Sequence, residues 1–325
     1  MKLGVLGGGA WGTALAQVAA SGGEDVQLWA HEADVVASIN TAHENPQFLP
    51  GVLLHKSIHA VSDISMLGEC DVLLVVTPAQ HLRATLARAT VGHRTLVLCS
   101  KGIEDGSMAL MSEAAAQTCP NAEIAVISGP TFASEVARGL PTAVTLASQR
   151  SAVARKLAER LARPHFRPYV SIDVTGAEIG GAVKNVLAIA CGVVEGAGLG
   201  QNARAALMAR GFAEMSRYGL ARGAQPETLA GLSGLGDLVL TCSSTASRNF
   251  TLGKGLGEGR RAQVLLANRT TVAEGAFTAP VLQQSAKALG VDMPVVDAVC
   301  ALLTGKVPVA DVIEQLLARP LRHEG

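Results

Sequence analysis

Along the first half of the chain, short apolar runs alternate with stretches whose apolar positions recur at helical spacing. Leu3–Leu6, Val26–Trp29, Asp71–Val76, Thr95–Cys99 and Glu123–Ile127 read as strands, with Thr142–Leu146 and Tyr169–Ile172 as weaker members. A helix is predicted from Ala10 to Ala20, stopped by Ser21-Gly22-Gly23. Short apolar strands separated by helices argue for a parallel sheet covered on both faces. After Ile172 the strand signal fades. Glu178–Val194, Asn202–Leu220, Ala279–Leu289, Pro294–Thr304 and Val309–Leu317 read as helices, and Glu178–Val194 is apolar enough to be buried all round. Between them, residues 231–259 are rich in Gly, Ser, Thr and Asn and read as too polar and irregular for core. The fold class is therefore α/β, a doubly wound sheet over residues 1–172 followed by an all-α domain over 173–325, packed together without a flexible linker.

Composition narrows the function. With 325 residues, 49% of them apolar, the chain can bury a large core. Its 27 basic and 27 acidic residues balance, leaving no basic field for nucleic acid. Aromatic residues make up 3%, too few for base-stacking platforms. Cys70, Cys99, Cys119, Cys191, Cys242 and Cys300 form no CxxC pair and read as free thiols of a reducing, cytoplasmic protein, with no metal site. Leu3–Gly23 carries no charge, but its seven glycines would interrupt a membrane span or leader. No membrane insertion is expected.

Candidate chemistry begins at Gly7-Gly8-Gly9-Ala10-Trp11-Gly12, which matches G-x-G-x-x-G between a strand and a helix. Gly7 serves the turn, Gly9 the approach of a pyrophosphate to a helix N-terminus, and Gly12 the close seating of the helix, as in a Rossmann dinucleotide site. At the end of the second strand, where an acid would bind the ribose of NAD, stands His31, with Glu32 one further on. A carboxylate would repel a 2′-phosphate and a histidine would not, so NADPH or NADH is expected, with NADP preferred. His31 also reads as an ordinary solvated loop residue. Lys184, within the most apolar helix, needs an anionic partner or a path to solvent, and desolvation would bring it toward a proton-transferring range. Asp237, between glycine and leucine pairs, reads equally as a helix N-cap. Ser247-Arg248-Asn249 sets a guanidinium among hydroxyls and amides, suited to an anionic substrate group or to a polar surface loop.

The ordered set GGGAWGTALA (7–16), NPQFLPG (45–51), SKGIE (100–104), SGPTFASEVA (128–137), GAVKNVLAIACG (181–192), GLSGLGDLVLTC (231–242), SSTASRNFTLG (243–253) and VAEG (272–275) resembles the bacterial-type NAD(P)-dependent glycerol-3-phosphate dehydrogenases along almost the whole chain. The resemblance implies a 6-phosphogluconate-dehydrogenase-like architecture and reduction of dihydroxyacetone phosphate to sn-glycerol 3-phosphate, feeding glycerophospholipid synthesis. It implies that Lys184 exchanges the proton at the C2 oxygen, that Asp237 holds and tunes Lys184, and that Lys101 orients substrate. Gly129, Thr131, Ser247, Arg248 and Asn249 would complete the substrate site, with Arg248 near the phosphate. Gly7, Gly9, Ala10, Trp11, Gly12, His31, Lys101, Ala133, Arg248, Val272 and Glu274 would meet the cofactor. Ala10 stands where many members have Ser, and Thr77-Pro78 where Val-Pro is common. The bare residues leave two alternatives: a related reductase of the 6-phosphogluconate or ketopantoate type, against which the TASRN loop argues, and a non-catalytic dinucleotide sensor, which retention of Lys184 and Asp237 disfavours. The apolar second half offers a surface for a possible homodimer.

Overall fold

The computed structural model describes residues 2–267 and 273–318. Eight strands form one sheet: β1 (Leu3–Leu6), β2 (Val26–Trp29), β3 (Ile58–Val61), β4 (Val72–Val75), β5 (Thr95–Leu98), β6 (Glu123–Ser128), β7 (Thr142–Ala147) and β8 (Phe166–Ser171). Their spatial order is β8-β7-β6-β5-β4-β1-β2-β3. The first six are parallel in the 3-2-1-4-5-6 order of a doubly wound nucleotide-binding sheet, whose switch point falls between β1 and β4. All four residues of β1 and of β4 are buried, because helices cover both faces. Val5, Leu28, Leu74 and Val97 share one core with the Ala10–Ala20 helix. Leu6, Leu73, Val75, Leu96 and Leu98 face the other way, into a second core with Leu82 and Leu86.

The structure departs from the sequence reading in three places. β7 pairs antiparallel with β6, so β7 and β8 run against the first six strands. The 129–141 connection holds only the five-residue helix Ala133–Ala137, too little for a right-handed crossover to a parallel neighbour. β3, at the opposite edge, was not visible as a strand: its four residues, Ile-His-Ala-Val, carry too short a pattern. The third departure is residues 231–259, expected to stay outside the core. They contain the helices Asp237–Cys242 and Arg248–Gly257, and Leu238, Cys242, Phe250, Leu252 and Leu256 are buried in the helical core.

That core is built around the Val174–Gly196 helix, which packs against the helices Gly200–Ala221, Asp237–Cys242, Arg248–Gly257, Glu274–Ala288 and Pro294–Leu303. It is the one described helix long and apolar enough to cross a membrane, and its apolar window is wholly buried within the protein. Its crossing with Arg248–Gly257 is made backbone to backbone. A methyl on Gly253 would strike the Ile189 carbonyl oxygen, and one on Gly192 the Phe250 carbonyl oxygen. Asp173 opens the helix by accepting the Gly176 N–H at 2.8 Å, and its other oxygen accepts the Gln225 N–H at 2.8 Å.

Candidate active site

The glycine-rich turn leaves β1 at the switch point. Gly7 has φ +128°, open only to a residue without Cβ, and its Cα faces the Val76 carbonyl. Gly12 sits against Gly7: a methyl there would strike the Gly7 carbonyl oxygen. Gly9 is the opposite case, because a Cβ built on it meets no atom of the described residues within 4 Å. The space above the first turn of the Ala10–Ala20 helix is therefore open where its N–H groups emerge, as an anion requires. Ala10 and Trp11 are half-buried beside it, and the Trp11 indole Nε1 is buried with no hydrogen-bond partner among the described residues. Ala133 opens a short helix that packs on the Ala10–Ala20 helix. His31 is exposed just beyond the end of β2, its ring centroid 6.4 Å from that of Trp29. An open, donor-rich cradle with an orphaned indole donor beside it fits a dinucleotide.

The same strand ends lead to the lysines. The Ser100 hydroxyl donates to the Thr77 carbonyl, joining the ends of β4 and β5, and Lys101 follows. Lys101 Nζ donates to the Gly129 carbonyl at 3.2 Å, beyond the end of β6, and to Asp237 Oδ2 at 2.7 Å. Asp237 Oδ1 accepts from Lys184 Nζ at 2.8 Å. One carboxylate thus stands between two ammonium groups, one from each half of the chain.

Local sequence explains the placement of Asp237. Leu232–Gly236 winds into one wide turn, with the Gly236 N–H donating to the Gly231 carbonyl five residues back. A methyl on Gly180 would strike the Ser233 carbonyl oxygen, so this turn rests directly on the central helix. Four residues on from each contact partner, one helical turn later, stand Lys184 and Asp237. Gly181, on the same face, leaves room for the Lys101 stem: a Cβ there would lie 3.3 Å from Lys101 Cγ. Asp237 is the first residue of its helix rather than the N-cap, which is Gly236.

Electrostatics follow from burial. Asp237 is fully buried and the Lys184 side chain is 8% exposed. Burial lowers the pKa of the Lys184 ammonium, Asp237 holds it up and Lys101 lowers it again, leaving it at about 8. Thr241 completes the group. Its hydroxyl oxygen accepts from Lys184 Nζ at 2.9 Å and its proton is directed at Asp237 Oδ1, 3.3 Å away. Thr241 was not singled out from sequence, although its position four residues after Asp237 on a helix carried the signal.

The other predicted positions gather around this cluster. Thr131 Oγ1 donates to the Gly129 carbonyl at 3.2 Å, and Pro130 lies beside Gly236. Ser247 is the N-cap of Arg248–Gly257, accepting the Phe250 N–H at 3.2 Å. Arg248 is exposed on the first turn of that helix, where a phosphate would also meet free N–H groups. Asn249 is buried and committed: its Nδ2 donates to Asn185 Oδ1 at 3.0 Å and its Oδ1 accepts the Gly275 N–H at 2.9 Å. Glu274, at the start of its helix, stands close to the sheet half: a Cβ built on Gly102 would lie 3.9 Å from Glu274 Oε2 and would strike the Ala79 side chain. Burial pushes its carboxyl up to about 7, against the opposing influence of Arg248. Val272 lies outside the described residues. A groove of about 770 Å³, lined by Gln80, Arg83, Glu104, Phe277 and Pro280 among others, includes none of the lysine cluster. Its polar side chains are paired with one another or with neighbouring backbone.

Comparison with known proteins gives the same picture over the whole chain. Residues 2–154 match the family model described as NAD-dependent glycerol-3-phosphate dehydrogenase N-terminus, and residues 173–314 match the one described as its C-terminus. The glycerol-3-phosphate dehydrogenase (NAD(P)+) of Erythrobacter litoralis is 64% identical, over 99% of this chain and 98% of its own. Glycerol-3-phosphate dehydrogenase (NAD(P)+) 1 of Sphingopyxis alaskensis is 62% identical, over 100% and 98%. A crystal structure of glycerol-3-phosphate dehydrogenase from Coxiella burnetii superposes with a TM-score of 0.93 at 37% identity, covering 98% of this chain and 99% of that one. A ketopantoate reductase from Ralstonia eutropha shares the fold alone, at a TM-score of 0.59 and 16% identity.

Proposed function

The chain belongs to the NAD-dependent glycerol-3-phosphate dehydrogenase family, and from that premise we propose how its residues carry the reaction. The enzyme reduces dihydroxyacetone phosphate to sn-glycerol 3-phosphate with NADH or NADPH. When bound, the reduced nicotinamide supplies a hydride to the carbonyl carbon. Gly7, Gly9, Ala10, Trp11 and Gly12 would hold the pyrophosphate end, His31 the adenosine ribose, and Lys101, Ala133, Arg248 and Glu274 the remainder. The absence of a carboxylate at His31 supports a preference for NADPH.

As charge grows on the C2 oxygen, the Lys184 ammonium neutralises it and delivers the proton. Asp237 keeps Lys184 protonated near neutrality despite burial, and Lys101, on the other carboxylate oxygen, orients the substrate. With both lysines charged the trio carries one net positive charge, suited to an anionic substrate and to a forming alkoxide. Gly129 and Thr131 line the same wall. Arg248, with Ser247 and Asn249 shaping the start of its helix, takes the phosphate. The sharing of Asp237 between Lys101 and Lys184 is the observation that carries this reading.

The division into residues 1–172 and 173–325 belongs to the same reading, supported by the end of β8 at Ser171 and the Asp173 cap. So do a role in glycerophospholipid supply and a cytoplasmic location, the latter supported by six free cysteines. A homodimer through the helical half would cover Leu220 and Leu289, both exposed, and sedimentation velocity tests it. The catalytic reading is tested by following NADPH consumption with dihydroxyacetone phosphate in wild type and Lys184→Ala. Turnover that falls by about 10²–10⁴ in the variant while NADPH still binds supports it. Wild-type turnover that survives the substitution contradicts the role of Lys184, and no wild-type turnover contradicts the substrate.

A further inference from the structure

The NPQFLPG segment, residues 45–51, has no part in the chemistry above, yet it reaches the dinucleotide loop. Asn45 ends the two-residue strand Glu44–Asn45 of a small antiparallel hairpin with Leu49–Leu53 and is fully buried. Its Nδ2 donates to the Gly8 carbonyl at 2.8 Å and to Thr13 Oγ1 at 2.8 Å. Thr13 Oγ1 in turn donates to the same Gly8 carbonyl at 3.2 Å. The Phe48 N–H donates to Asn45 Oδ1 at 3.3 Å, which fixes the orientation of the amide, because only the nitrogen side is then left to face Gly8. The hairpin itself is seated on the same helix. Gln17 Nε2 donates to the Leu53 carbonyl, and the His55 N–H donates to Gln17 Oε1.

A trans peptide is planar, and its C=O and N–H point in opposite directions. Holding the Gly8 carbonyl inward with two donors therefore turns the N–H of Gly9 outward. Outward of Gly9 is the open space in which a Cβ would meet no atom of the described residues within 4 Å. We infer that Asn45 is a positioning residue of the cofactor site: with Thr13 as its second arm, it aims the Gly8–Gly9 peptide at the pyrophosphate. This rests on the dinucleotide-binding reading of the loop. A loop of consecutive glycines has no side chains to hold its peptide planes, so the restraint has to come from outside it. The buried Asn45 amide supplies that restraint from 37 residues away in sequence.

The test reads phosphate binding apart from the rest of the site. Asn45→Ala is titrated with NADPH and with adenosine, which has no pyrophosphate. The dissociation constant for NADPH should rise at least tenfold, while that for adenosine should stay within about twofold. In turnover, KM for NADPH should carry more of the loss than kcat. Parallel weakening of both ligands would mean a purely structural role and would overturn the inference, as would an unchanged NADPH affinity. Should Asn45→Ala fail to fold, Thr13→Ala and Thr13→Ser decide. Ser keeps the hydroxyl arm and should bind NADPH like wild type, whereas Ala should bind it several-fold more weakly. Equal affinities of those two variants would refute the proposal. Binding is read without dihydroxyacetone phosphate, so failure of the substrate assignment would show separately, as wild-type protein that binds NADPH but does not turn over.

Discussion

Two lysines on one buried carboxylate set competing demands on Lys184. Its ammonium is costly to bury, and the cost is tolerated because Asp237 faces it. Replacing Lys184 with an apolar side chain of similar volume removes that cost and still leaves Asp237 paired with Lys101. Lys184→Met should therefore unfold at the wild-type temperature or above it, while kcat/KM falls by about 10²–10⁴. Asp237→Asn removes the one anion shared by two cations. Breaking a buried pair in this way costs about 3–5 kcal/mol, so this variant should lose stability as well as activity. Thermal melts beside steady-state rates separate the two behaviours. Equal destabilisation by both substitutions would show that Lys184 is held for structure rather than for chemistry. At this scale most of the site was legible. Lys184 and Asp237 announced themselves as charges inside apolar or glycine-rich stretches, and Lys101 was reached through the family resemblance. Thr241 and Asn45 did not, because a lone Thr or Asn looks alike whether it meets water or a buried partner.

Among the elements, the regular ones could be read and the glycine-rich ones could not. The Val309–Leu317 helix has its predicted bounds, and the Val174–Gly196 helix only lengthens the predicted one. The Arg248–Gly257 helix was hidden because Gly253, Gly255 and Gly257 lower helix propensity. It is stable because Gly253 and Gly257 let two backbones meet, while Gly255 makes room for the Leu265 side chain, contacts that leave no apolar periodicity to detect. Gly253→Ala should separate the helices, since its methyl would strike the Ile189 carbonyl oxygen. A loss of about 1–3 kcal/mol in chemical denaturation is expected. KM for dihydroxyacetone phosphate should also rise, because Arg248 and Asn249 sit on the displaced helix. A wild-type denaturation midpoint for this variant would contradict the backbone-contact account. The antiparallel entry of β7 was equally hidden, for strand direction depends on the path of the 129–141 connection and not on the apolar run itself.

For the molecule as a whole, buried carboxyls join its parts and make its stability depend on pH. Glu178, on the central helix, accepts from the Ser112 N–H and hydroxyl at 2.7 and 2.6 Å, tying the helical half to the sheet half. Glu214 accepts the Val295 N–H at 2.8 Å at the start of the Pro294–Leu303 helix. Burial pushes both carboxyls up to about 7. A carboxyl with a raised folded-state pKa binds more protons folded than unfolded, so its contribution is full below the unfolded value near 4.5 and is lost as pH rises through about 7. The melting temperature should therefore decline between these limits, and Glu214→Gln should flatten the decline. A melting temperature that rises across this window in wild type, or an unaltered slope in Glu214→Gln, would count against it. The two-part architecture was readable from the change of pattern near residue 172. That a single aspartate from the second part would engage a lysine from each was not, since it depends on how the two parts pack.

The account stands on Lys184 as the group that gives and takes the C2 proton, and the pH dependence of kcat/KM in both directions tests it most directly. Reduction of dihydroxyacetone phosphate needs the ammonium and should fall as pH rises through about 8. Oxidation of glycerol 3-phosphate needs the free amine and should rise through the same value. Mirror-image profiles bending at one pKa, with the bend displaced to lower pH in Asp237→Asn, are the predicted result. Profiles that move in the same direction, or that keep their bend in Lys184→Ala, would contradict it.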